Sequence, residues 1–196
     1  FQDTYSTPAY DATILNSWKD FFSGVYAANL AIEKIESYAD DIQESLKNRM
    51  LGEAYFLRGL HYMHLCMLFG ETVPLYDHSV TDASDYYKGN AQPGEIYKFI
   101  IDNFSKAAEL LPVRSKLYEN ESYIGRVTKG AAQGYLARAY LYRPLLEKGS
   151  AAEFSKAEKV LKEIIDSNEY ELVKNFRDNS VGNNENNKES IFEVQM

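Results

Sequence analysis

Apolar residues spaced three and four apart recur through most of the chain, and this period limits the fold more than any other feature. From Ala12 to Ser37 the positions are Leu15, Trp18, Phe22, Val25, Ala28, Ile32 and Ile35. The next run opens on Asp40, Asp41 and Glu44, an acidic start that complements a helix N-terminus, and reaches Phe69 through Leu46, Met50, Ala54, Leu57, His61, Leu65 and Leu68. Its other flank carries Tyr55, Tyr62 and Met63, so this helix is expected to be buried on more than one side. Gly70 is placed to cap it.

A polar connection over 71–92 contains Pro74 and Gly89, and Pro93 is expected in the first turn of a third helix. That helix presents Ile96, Ile100, Phe104, Ala107, Ala108 and Leu111 on one face and stops at Pro112. A second polar loop, 113–125, leads into a helix from Val127 to Glu147, whose Ala131, Ala132, Gly134, Ala137 and Ala139 let neighbouring backbones approach closely; Pro144 is expected to end or kink its last turn. Ser150-Ala151-Ala152-Glu153 is a capping box before a fifth helix that buries Phe154, Ala157, Leu161, Ile164 and Ile165. The tail from Glu169 is rich in asparagine, with short strands expected at Glu171–Val173 and Ile191–Val194.

Small residues and aromatics at set offsets suit antiparallel, tetratricopeptide-like helix pairs. Phe104, Ala107 and Pro112 have the spacing of a second helix and its terminating proline, Ala137 and Tyr140 suit a first helix, and Ala157 with Leu161 suits its partner. The fold class is therefore all-α, with tetratricopeptide-like pairs, long connecting loops and minor short strands. At 196 residues and 45% hydrophobic content the chain has enough apolar matter for one substantial core. Its net charge of -8 argues against nucleic acid, which needs clustered cations, and against electrostatic docking on a membrane surface. A single cysteine, Cys66, rules out an internal disulfide framework and a cysteine-rich zinc site.

Several segments, in order, resemble the SusD/RagB-type family of outer-membrane nutrient-binding lipoproteins. Trp18-Lys19-Asp20-Phe21-Phe22 through Ala28-Asn29 is similar to the family's Trp-containing helix that ends in an Ala-Asn pair. Glu53-Ala54-Tyr55-Phe56-Leu57-Arg58, then Phe69-Gly70 and Val73-Pro74-Leu75, is the strongest likeness. Glu95-Ile96-Tyr97 to Pro112, Gly125-Arg126-Val127-Thr128-Lys129 to Tyr142, and Asn187-Lys188-Glu189-Ser190-Ile191-Phe192-Glu193-Val194 follow in the family's sequence. Members are usually much longer, beginning with a signal peptide and an acylated cysteine. Both ends of this chain read as cut, so residues 1–196 are expected to be one helical domain of a longer protein.

Candidate chemistry is sparse. His61 and His64 lie three apart, but Cys66 points to another helical face, so no metal site is expected. The oxygen ligands between Asp178 and Asn187 lack the spacing of a calcium-binding EF-hand and read as a loop. No phosphate loop, nucleophile elbow or zinc-protease motif is present, and neither catalysis nor a cofactor is expected. Trp18 reads as core. Glu53 and Arg58, five apart and so on different faces, are read from the resemblance as structural groups joining helices. The candidates for ligand contact are loop aromatics, Tyr86 and Tyr87 in the first polar loop and Tyr118 and Tyr123 in the second, because a sugar's C–H face packs on an aromatic ring.

The resemblance implies non-catalytic capture of an oligosaccharide at the cell surface, for import through a TonB-dependent, SusC-like transporter. It places the full-length protein on the extracellular face of the outer membrane, held by a lipid anchor that this chain lacks. The alternative is a tetratricopeptide-like module that binds a protein or peptide.

Overall fold

The computed structural model describes residues 11–38, 42–147, 151–180 and 184–194. Six helices follow one another among these residues: α1 (Ala12–Ser37), α2 (Glu44–Phe69), α3 (Glu95–Leu110), the short α4 (Arg114–Leu117), α5 (Lys129–Glu147) and α6 (Ala151–Asp166). α1 packs on α2, α2 on α3, α3 on α5 and α5 on α6, so successive long helices form one stack. No helix among the described residues is long and apolar enough to cross a membrane.

The long helices begin and end for local reasons. Asp11 caps α1 by accepting a hydrogen bond from the Thr13 N–H at 2.8 Å. Gly70 closes α2 in a left-handed conformation, φ 85°, with its N–H on the Cys66 carbonyl. Asp40, Asp41 and Ser150, expected at two helix starts, lie outside the described residues. Pro93 does not enter α3. Gln92-Pro93-Gly94-Glu95 is a tight turn in which Gly94 takes φ 80° and Glu95 N–H bonds to the Gln92 carbonyl at 3.1 Å. The Glu95 carboxylate reaches back to the Gln92 N–H at 2.9 Å, so helix start and turn brace each other. α5 begins at Lys129 rather than Val127 and continues through Pro144 to Glu147, within a turn of the proline.

The core is centred on α2 and α3, where Phe56, Tyr62, Leu65, Ile96, Ile100 and Phe104 are fully enclosed. The α3 face is the expected one. On α2 the better-buried flank is that of Tyr55, Tyr62 and Met63, whereas Leu46, Leu57 and Leu68 are exposed. The reason is that α2 lies between α1 and α3, and the row through Leu46, Leu57 and Leu68 falls outside both contacts. α6 also buries less than its pattern suggests: Ala157 and Ile164 are enclosed, but Phe154, Leu161 and Ile165 are exposed. Among the described residues, α5 is its one major helical neighbour.

The expected strands do not form. Glu171–Val173 and Ile191–Val194 are irregular, joined by a Glu171 N–H to Lys188 carbonyl bond and by the Glu189 carboxylate on the Val173 N–H. Leu172 and Val194 are exposed, and it is Phe192 that serves the helical core. The Phe192 ring lies 5.2 Å from Phe56 and 6.0 Å from Tyr135, closing the end of the aromatic cluster between α2, α3 and α5. An isolated antiparallel bridge, Pro74 with Asn90, ties together the two ends of the 71–92 connection.

Candidate functional site

Polar side chains inside the apolar stack determine where the 71–92 connection runs. Arg58 on α2 is only 6% exposed, and its acceptors are neutral oxygens. Its Nε donates to Asn103 Oδ1 on α3 at 2.8 Å, and its Nη1 donates to Asn29 Oδ1 on α1 at 2.7 Å and to the Asp77 carbonyl at 3.0 Å. The Phe99 and Tyr55 rings flank the guanidinium at 4.8 and 5.3 Å. Burial pushes the Arg58 pKa down, a measure of how strongly its surroundings exclude water.

Asn29 spends its amide group on the same connection, donating to the Tyr76 carbonyl at 3.0 Å and to the His78 carbonyl at 2.9 Å. One residue on, the Ser79 N–H donates to Glu33 at 2.7 Å, and the Ser79 hydroxyl donates to the same carboxylate. These two bonds hold the Glu33 carboxyl below its usual range. Tyr62 completes the anchor by accepting the Tyr76 N–H at 2.6 Å. The connection therefore lies along α1 and is held mainly through its own backbone.

This path encloses a pocket of about 300 Å³ against α1. Trp18, Phe22, Val25 and Tyr26 line it from α1; Pro74, Tyr76, His78, Val80 and Tyr86 line it from the connection, with Asn29 beneath. Tyr86 comes from a 3-10 helix, Ala83–Tyr87, and stands at 66% exposure; Tyr26 stands at 49%. At the rim, His78 Nδ1 is 2.8 Å from Asp77 and its Nε2 is 3.4 Å from Asp85. The hydrogen bond to Asp77 raises the His78 pKa. Aromatic walls beside polar edges suit a ligand with apolar faces and hydroxyl rims.

The four loop tyrosines are not brought together. Tyr86 lines the pocket, and Tyr87 is 91% exposed at the end of its 3-10 helix. Tyr118 and Tyr123 are half-buried in the second loop among arginines. The Tyr118 hydroxyl accepts the Gly125 N–H and its ring faces Arg114 at 5.1 Å, while Tyr123 lies under Arg49 at 4.5 Å and Arg126 at 5.4 Å. Both arginines also pair with Glu53, at 2.8 and 3.0 Å, so Glu53 joins α2 to the loop before α5. Trp18 is half-buried, with its ring 4.7 Å from Phe22 and 5.0 Å from Phe69, and its remaining edge faces the pocket.

His61 and His64 pack beside Phe21, with ring separations of 6.1 and 5.2 Å. No group of three or more metal-binding side chains occurs among the described residues. Sequence reasoning missed Tyr26, Asn29, Tyr76 and His78 as parts of a site. Asn29 carried a usable signal, a polar side chain on the face of α1 that also holds Val25 and Ile32.

Residues 1–141 match the SusD-like family model "Starch-binding associating with outer membrane". A SusD-like protein of Bacteroides ovatus is 24% identical over 98% of this chain and 34% of its own length. The crystal structure of a SusD superfamily protein from Parabacteroides distasonis superposes with a TM-score of 0.87 and 28% identity, covering 100% of this chain and 40% of that one. A laminarin-binding SusD-like protein superposes with a TM-score of 0.76 and 27% identity over 91% of this chain and 37% of that one. The chain spans between 25% and 34% of the length of the curated relatives it matches. Family match and helical stack agree across most of the sequence, and the protein belongs to the SusD-like family.

Proposed function

We propose that this chain is the helical part of a non-catalytic surface protein that captures oligosaccharide for import through a TonB-dependent, SusC-like transporter. The observation that carries the reading is the aromatic-walled pocket on α1, in a fold shared with a laminarin-binding relative at 27% identity. Capture needs stacking surfaces and hydrogen-bonding edges, and the pocket supplies both. The helix stack acts as the rigid frame that holds those surfaces in place. A lipid anchor elsewhere in the full-length protein would keep it on the extracellular face of the outer membrane, over the transporter mouth.

Isothermal titration calorimetry of the full-length protein against plant, algal and microbial oligosaccharides tests this. Saturable binding of one sugar class, with recovery of the sugar unchanged, supports capture. If no sugar binds and a peptide or protein partner does, the helical stack is an interaction module and the proposal fails.

A further inference from the structure

We infer that the pocket between α1 and the 71–92 connection is a subsite for a neutral sugar ring and that it discriminates against uronic and sulfated sugars. The inference rests on the oligosaccharide-capture reading and adds both a location and a charge rule. A volume near 300 Å³ is at the low end of the roughly 300–1,000 Å³ typical of ligand pockets, enough for about one or two sugar rings. Tyr86 and Tyr26 are both exposed at its mouth, one from each wall, so a ring entering between them meets an aromatic side chain from either side.

The charge rule follows from which cations are already matched. No lysine or arginine lines the pocket among the described residues. The one imidazole that does, His78, has both ring nitrogens turned to carboxylates, Asp77 at 2.8 Å and Asp85 at 3.4 Å. Lys88, whose ammonium lies 5.5 Å from the ring of the lining residue Tyr76, donates to the Leu75 carbonyl at 3.0 Å and sits 3.5 Å from Asp77. A sugar carboxylate or sulfate in this pocket finds no unmatched cation among the described lining residues, and the imidazole that lines it already has two carboxylate partners. Desolvating such a group without a partner is unfavourable, whereas hydroxyls are accommodated by the phenol edges of Tyr26 and Tyr86.

The test is calorimetry on the full-length protein with two probes of equal length, a neutral laminari-oligosaccharide and an oligogalacturonate. Variants Tyr86→Ala, Tyr26→Ala and Tyr123→Ala accompany the wild type. The expected result is binding of the neutral probe, a roughly tenfold loss in Tyr86→Ala and in Tyr26→Ala, and little change in Tyr123→Ala. The oligogalacturonate binds at least about tenfold more weakly, and Asp85→Asn narrows that gap. Unchanged affinity for the neutral probe in both pocket variants places the site elsewhere, overturning this inference while the capture reading stands. Equal, Tyr86-dependent binding of both probes overturns the charge rule. Failure of every sugar in the wider panel overturns the capture reading and this inference with it.

Discussion

Replacing Arg58 by Met tests whether one buried guanidinium holds the connection against the helices. Met preserves most of the apolar stem but removes every donor. Asn103 Oδ1 and Asn29 Oδ1 then lose bonds of 2.8 and 2.7 Å, and the Asp77 carbonyl loses one of 3.0 Å. Bonds from a charged donor contribute about 1.5–3 kcal/mol each, and a buried acceptor left alone costs a further ~1–3 kcal/mol. Against this stands the desolvation of the guanidinium, several kcal/mol, which the variant escapes. Asp77 is largely exposed, so water can replace the third bond. The two buried amides, each left with an unpaired acceptor, then decide the balance, and the net loss should be about 3–5 kcal/mol.

With a urea slope of about 2 kcal/mol/M, the unfolding midpoint of Arg58→Met should fall by about 1.5–2.5 M with the slope unchanged. Circular dichroism of the helices reads this directly. Limited proteolysis should cut between Val73 and Asn90 at urea concentrations too low to unfold the helices, because Asn29 loses its orientation along with Arg58. A midpoint within about 0.5 M of wild type would refute the reasoning, because desolvation would then have cancelled the hydrogen bonds.

A Cβ built on Gly24 would overlap the His61 ring, so Gly24→Ala should cost about 1–3 kcal/mol, and His61→Ala in the same chain should recover part of it in a double-mutant cycle. Phe192→Ala should lower stability by about 2–4 kcal/mol, measured by urea unfolding, since its ring closes the cluster with Phe56 and Tyr135. His78 is raised above 6.5 in the folded chain, so its contribution is full below pH 6.5 and fades as pH rises through the raised value. An NMR titration should show the His78 pKa falling in Asp77→Asn. His61 works in the opposite sense, because burial lowers its pKa: its neutral form favours folding above pH 6.5, and that advantage is lost as pH falls through the lowered value. His61→Phe should therefore flatten the acid side of the stability profile.

The stack was legible in sequence where one helical face meets one partner. Ile96, Ile100, Phe104 and Ala107 on α3 are such a case, and all four are buried. Legibility failed where burial depends on the number of neighbours: α2 has two and α6 has one major neighbour, yet both carry apolar rows that read alike. Pro93 suits a helix start and a turn equally well, and Gly94 at positive φ decides for the turn. Of the candidate pocket, the sequence reading reached only Tyr86 among four loop tyrosines. Tyr86 joins Trp18 because Asn29, Arg58 and Glu33 grip carbonyls and N–H groups of an irregular segment 19 to 49 residues away along the chain. Backbone groups are the same at every residue, so no pattern of side chains announces such a grip.

That grip has an evolutionary consequence. Positions 76, 77 and 78 are held by their carbonyl oxygens, which any amino acid supplies, so mutation there does not remove the anchor. Selection can exchange the side chains facing the recess while the path of the chain stays constant. The surface of this strip can therefore vary one residue at a time without loss of its fold, provided Asn29 and Arg58 are kept.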